Sequence, residues 1–304
     1  MTVPLKKMRL NYFNKINNFG DALNPLIFNK LLPDFFDDDP SCDFFGIGSI
    51  IGDTMKESLH KIIFSSGFAY GSLPTLDSSY EILCVRGPLT AKALKIDQAL
   101  GITDGAALVR EFRFQKLKKE YEFSFMPHHR SETKYPWKNV ADETGINYVS
   151  PLSDPLFVID EILKSKVVIA EAMHFAIVAD VLRVPWIAVK AYPGINDFKW
   201  HDWTQSLHMS YNPASLGSLF EETSLNEKLR QKTANKLPSS FYKAMTQTYI
   251  GLQGFLRDAT VRKFRKVLKL APLLSNENVL DEKTDRLLEK LEYVKGKYKR
   301  SFFQ

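Results

Sequence analysis

The strongest constraint on this chain's fold is an alternation of two patterns. Short apolar runs of strand length are separated by amphipathic stretches of helix length. The clearest instance is KVVIAEAMHFAIVADVLRVPWIAV, residues 166–189. It reads as a strand over 166–170, a helix over 172–182 and a strand over 186–189. Two strands joined by a helix form a β-α-β unit, and repeated units give mainly parallel sheets.

The alternation occurs in two series. The first has strands over 8–12, 43–47, 61–65 and 81–85, with helices over 22–32 and 88–94. The second has strands over 122–126 and 146–149, helices over 137–144 and 155–165, and then the unit above. A charged stretch, REFRFQKLKKEY at 110–121, separates them and reads as a linker. The 304 residues suffice for two domains of roughly 150 residues each. The expectation is an α/β fold of two doubly wound domains facing a cleft, over 1–115 and 116–212. A helical, basic extension follows over 213–304, with 213–240 polar and irregular or helical.

Composition removes several function classes. The chain has two cysteines, Cys42 and Cys84, without paired spacing. A disulfide framework or cysteine-based metal site is not expected, and a reducing, cytoplasmic setting fits. The N-terminus lacks a signal-like apolar run, and no window approaches the roughly 18 apolar residues of a membrane span. Residues 246–304 hold 13 basic and 7 acidic side chains, while the remainder balances at 28 and 28. A neutral body disfavours nucleic-acid binding. In the basic segment, Leu252, Leu256, Phe264, Val267 and Leu270 fall broadly on one face, and Arg262, Arg265 and Lys269 lie opposite. Two readings stay open: a helix packed on the body with a solvated basic face, or one lying on an anionic membrane surface.

Ligands of parallel sheets bind beyond the carboxyl ends of the strands, so residues there are the site candidates. In NNFGDALNPLIF, 17–28, Gly20 permits a tight turn and Asp21 is placed to cap the next helix. In GIGSII, 46–51, two glycines allow close approach, but the third glycine of a dinucleotide fingerprint is missing. In VRGPLTAKAL, 85–94, Arg86 leaves a strand and can offer its planar fork to an anion. In ITDGAALV, 102–109, Asp104 precedes an apolar segment and reads as a cap or a site residue. In SFMPHHRSE, 124–132, His128, His129 and Arg130 follow a strand and suit an anionic ligand. Adjacent histidines diverge, so a metal held by both is not expected. His174 falls in the first turn of a helix, where the dipole disfavours positive charge unless an anion arrives.

In order and spacing these stretches resemble the polysaccharide pyruvyl transferase family, over roughly residues 8–210. The matching motifs are Asn18–Asp21, Gly46–Ser49, Arg86–Pro88, Asp104–Leu108, Pro127–His128, and Glu171–His174 with Val184–Ile187. FKWHDWTQSL, 198–207, resembles the succinoglycan-type branch. The resemblance implies two Rossmann-like halves of GT-B type. It implies transfer of pyruvate from phosphoenolpyruvate to a sugar, with a cyclic ketal formed, phosphate released and no further cofactor.

On that reading His174 and His128 are the candidate catalytic groups. Arg86, Arg130 and Lys190 are the candidate donor-binding cations. Asn18, Asp21, Ser49 and Asp104 hold the acceptor or shape its loops. The expected partners are phosphoenolpyruvate, a saccharide acceptor of a bacterial capsular or exopolysaccharide repeat unit, lipid-linked at the inner face of the membrane, and an anionic membrane surface met by 246–304. The chain departs from the family pattern at Ala172, where arginine or serine is common, and at Phe175, where glycine is common. Two other functions compete: a nucleotide-sugar glycosyltransferase on the same architecture, and a non-enzymatic, membrane-docked assembly protein.

Overall fold

The computed structural model describes residues 8–217 and 238–299, apart from 53, 54, 56, 57, 133, 134 and 136. Of the expected segment 213–240, positions 218–237 lie outside the described residues, as do the side chains of Leu252 and Leu256.

The elements run β1 (Arg9–Asn11), α1 (Phe19–Leu31), β2 (Cys42–Phe45), β3 (His60–Phe64), β4 (Tyr80–Cys84) and α2 (Pro88–Leu94). A 3-10 turn, Gly105–Glu111, leads to β5 (Tyr121–Met126), α3 (His129–Glu132), α4 (Trp137–Thr144), β6 (Asn147–Tyr148), α5 (Pro155–Lys164) and β7 (Ser165–Ala170). Then come α6 (Met173–Val181), β8 (Trp186–Lys190), α7 (Asp197–Ser206), β9 (Ala214–Ser215), α8 (Ser239–Val267) and α9 (Glu277–Lys299).

The strands form two parallel sheets, ordered β1-β2-β3-β4 and β6-β5-β7-β8-β9. In the second, the chain steps outward from β5 to β6, returns to β7 on the other side, and continues to β8 and β9. The order reverses between β5 and β7. Diverging connections leave a crevice at such a switch point, where ligands bind. The first sheet runs in chain order without reversal.

Aromatic packing fills the first sheet: Phe28 of α1 meets Phe44 and Phe64 edge-on, at centroid distances of 5.1 and 5.6 Å. One continuous apolar cluster joins that packing to Val168, Ala170 and Trp186 of the second sheet and to Leu280, Leu287, Leu291 and Val294 of α9. A second cluster seats Val261, Phe264 and Val267 of α8 against Phe125, Trp137 and Ile169. Of the apolar positions expected on one face, Phe264 and Val267 thus pack on the body. Leu270, in the turn after α8, is 45% exposed.

Several boundaries shift from the sequence reading. Helix α1 begins at Phe19, not 22, because the Phe19 amide donates to the Pro151 carbonyl (2.8 Å). Asp21 is therefore inside the first turn and does not cap the helix. It accepts instead from Asn18 Nδ2 at 2.6 Å. Pro25 has no amide for the Asp21 carbonyl, which accepts Asn24 Nδ2 at 3.0 Å. The same buried Asn24 brackets the Ile47 backbone, accepting its amide at 2.7 Å and donating to its carbonyl at 3.0 Å. It thereby fixes the turn after β2. Strand β9 was not expected; it is two residues long and pairs with β8. No described helix is long and apolar enough to cross a membrane.

Candidate active site

Segments following β1, β2, β3, β5, β7 and β8 converge on one pocket of about 360 Å³. That volume suits a small polar ligand. Of the expected site residues, Asn18, Asp21, Ser49, His128, Arg130 and His174 line it, and so does Ala172. Arg86, Lys190 and Asp104 do not. His129 lines it beside His128, and Tyr70 and Lys199 line it without having been expected as site residues.

His174 sits at the switch-point end of β7, in the first turn of α6. Its side chain is 14% exposed, and Nε2 lies 3.7 Å from Asp104 Oδ2. Both atoms are buried without a hydrogen-bond partner among the described residues. Nδ1 is therefore the nitrogen left toward the pocket. That edge lies over Gly20, where a Cβ would fall 2.0 Å from Nδ1. Gly20 thus serves close approach of the imidazole. It stands inside α1 and makes no turn. Asp104 is fully buried and caps the 3-10 turn, accepting from the Ala106 amide at 3.0 Å. Burial would raise its carboxyl, but His174 and then Arg86 outweigh burial and hold it below the usual carboxylate range. Asp104 thus sits behind His174.

His128, His129 and Arg130 follow β5. The His128 amide donates to Glu171 Oε2 at 2.9 Å, and Ser131 Oγ donates to the same oxygen at 2.6 Å. Glu171 Oε1 accepts the Ala191 and Tyr192 amides at 2.8 and 2.6 Å. One buried carboxylate thereby ties together the segments after β5, β7 and β8. The His128 ring stacks on Tyr192 with centroids 5.6 Å apart. His128 Nδ1 accepts the Arg130 amide at 3.2 Å, which leaves the neutral ring's proton on Nε2. Burial, then His129, Lys199 and Arg130, lower His128 to about 2. Burial, then Arg130 and Lys199, lower His129 to about 4. Both rings are therefore neutral near pH 7.

Arg86 corrects the sequence reading. Its side chain is fully buried, and Gly67 leaves room for the guanidinium, where a Cβ would lie 2.2 Å from Cζ. Nε donates to Asp202 Oδ2 at 3.1 Å, Nη1 to Ser49 Oγ at 2.6 Å and Nη2 to the Phe68 carbonyl at 3.0 Å. Asp202 also accepts the Thr90 amide and hydroxyl at 2.9 and 2.5 Å, capping α2 from outside. The Arg-Gly-Pro turn is therefore a latch between the first sheet and α7, and it holds Ser49 from behind. Lys190 is also engaged, its Nζ 2.6 Å from Asp197 Oδ2.

Lys199 remains as a pocket cation. It lies within 5.4 Å of the Tyr70 ring centroid and has no ion pair among the described residues. Burial, then Arg86, lowers its ammonium to about 8, against the pull of Asp21. A sequence signal existed: Lys199 is the third residue of α7, where the helix dipole disfavours a cation. No described group of three or more His, Cys, Asp or Glu side chains has the geometry to hold a metal ion.

No family model matches the chain. The succinoglycan biosynthesis protein ExoV of Rhizobium meliloti (strain 1021) is 40% identical over 200 residues. The matched part covers 64% of this chain and 63% of that protein, a little under two thirds of either. Over that shared part the chain is similar to a succinoglycan biosynthesis protein, in keeping with the resemblance its ordered motifs carry.

Proposed function

We propose that this chain transfers pyruvate from phosphoenolpyruvate to a sugar of a bacterial capsular or exopolysaccharide repeat unit, closing a cyclic ketal and releasing phosphate. The observation that carries the reading is the pocket itself. His174, His128, Arg130 and Lys199 meet Asn18, Asp21 and Ser49 within one cavity at the strand ends of two parallel sheets. A GT-B-like pair of halves would present its substrates to each other in this way. The donor carries a carboxylate and a phosphate, and Arg130 and Lys199 supply the matching charge. His128 presents Nε2–H to the same anion. Asn18, Asp21 and Ser49 offer acceptors and donors for sugar hydroxyls.

The chemistry needs one proton on the donor's methylene carbon. His174 delivers it from Nδ1, and Asp104 stands behind Nε2 as the balancing carboxylate. The C2 centre gains oxocarbenium character and takes the first sugar hydroxyl. Phosphate leaves as the second hydroxyl closes the ring. Two hydroxyl protons are lost; one restores His174 and one departs with phosphate.

The test measures phosphate release from phosphoenolpyruvate with a panel of pyranoside acceptors. His174→Gln is expected to lower the rate roughly 10²- to 10⁴-fold with the melting temperature near wild type. Thermal stabilisation by a nucleotide sugar, with none by phosphoenolpyruvate, would move the assignment to a glycosyltransferase.

A further inference from the structure

Residues 261–274 carry Arg262, Lys263, Arg265, Lys266 and Lys269 and no acid. Arg262, Arg265, Lys266 and Lys269 are exposed and have no ion-pair partner among the described residues. Val261, Phe264 and Val267 of α8 are covered by the body, so this part of the helix cannot lay its apolar side on another surface. The turn after it differs. Leu270, Leu273 and Leu274 are 45%, 37% and 37% exposed, side by side with Ala271 and Pro272, which are also exposed.

This turn is rigidly mounted. Leu273 exchanges both backbone hydrogen bonds with Trp186 at the start of β8, at 2.9 and 2.7 Å. The Ser275 amide donates to Asp180 Oδ1 at 2.8 Å, and Arg183 Nη2 donates to the Ser275 carbonyl at 2.8 Å. Exposed leucines held out by so many anchors are not a loop in search of a core. The nearest acid in sequence is exposed Glu277, in the first turn of α9.

We propose that the α8–α9 turn docks the protein on an anionic lipid bilayer, with Leu270, Leu273 and Leu274 entering the interface and the basic last turns of α8 meeting the headgroups. Three leucines supply the apolar area and the collar supplies the charge complementarity; either alone binds weakly. The turn lies at the starting edge of β8, whereas the pocket lies at the ending edges of the strands. The pocket is then held off the bilayer by at least the strand's length, about 13 Å. An acceptor sugar reaching it stands away from any lipid anchor. This inference is independent of the transfer reaction.

The experiment is co-sedimentation of the full chain with vesicles of phosphatidylcholine alone or with phosphatidylglycerol. Binding is expected only with the anionic lipid and is expected to fall at high salt. Lys266→Gln with Lys269→Gln is expected to weaken it roughly 30-fold. Leu270→Ser with Leu274→Ser is expected to weaken it about tenfold or more. The two pairs lie on exposed positions, and an unchanged melting temperature confirms folding for each. No binding to anionic vesicles, or equal binding by either pair, overturns the proposal. Loss of self-association by the leucine pair without loss of vesicle binding, seen by light scattering, would assign the turn to a second copy of the chain instead.

Discussion

The two sheets furnish unequal walls of the same pocket. The first, ordered β1-β2-β3-β4 without reversal, contributes Asn18, Asp21, Gly48 and Ser49. Its one strand-end arginine, Arg86, is held inside by Asp202, Ser49 and Phe68. The second sheet, with a reversal between β5 and β7, contributes His128, His129, Arg130 and His174, and Lys199 follows its β8. Cations at strand ends therefore differ in what they are free to do. Arg86 and Lys190 have carboxylates within the protein, while Lys199 lacks one among the described residues. The wall proposed to hold the donor anion is the wall whose charge the fold has not already neutralised.

The largest break in this comparison comes from the latch. Arg86→Met leaves Asp202 buried and unpaired, and such a loss costs about 3–5 kcal/mol. Urea unfolding is expected to show it. A loss below about 1 kcal/mol would mean that the pair does not join the two walls. Next is the free cation. Lys199→Met is expected to raise the KM for phosphoenolpyruvate roughly 10- to 100-fold, as for a lost charge-assisted hydrogen bond. Lys199 carries its charge below about 8 and loses it above, so wild-type donor affinity should fall as pH rises through that window. In Lys199→Arg, whose guanidinium keeps its charge, the fall should vanish. An unchanged pH profile would place the anion elsewhere in the pocket. The smallest effect belongs to the first wall. Asn18→Ala removes the bond to Asp21 and is expected to cost about 0.5–1.5 kcal/mol in thermal unfolding. Burial already raises the Asp21 carboxyl, and Asn18 is the first influence against it, so NMR titration of Asp21 should move further upward.

Local patterns read well wherever a local rule decides. The helices read near 88–94 and 137–144 are present there, and for the first the proline in its opening turn is a short-range signal. The start of α1 does not, because its first amide is satisfied by Pro151, 132 residues away in sequence. Gly20 was visible as a glycine but not as the floor beneath His174, a contact between α1 and α6. The pocket-lining histidines could be seen in sequence because they directly follow strands, and strand ends are where parallel sheets open.

The sequence by itself determined the alternation, hence parallel sheets with chemistry at the strand ends, since periodicity and turn residues act over a few positions. It also carried the ordered motifs on which the resemblance to the polysaccharide pyruvyl transferase family rests. Only the tertiary structure decided which charges remain available. Asp202 reaches Arg86 and Asp197 reaches Lys190, while Asp104 stands behind His174 and Glu171 clamps three strand ends. Ionic and hydrogen-bonded partners fall off steeply with distance in space, and the fold alone sets those distances.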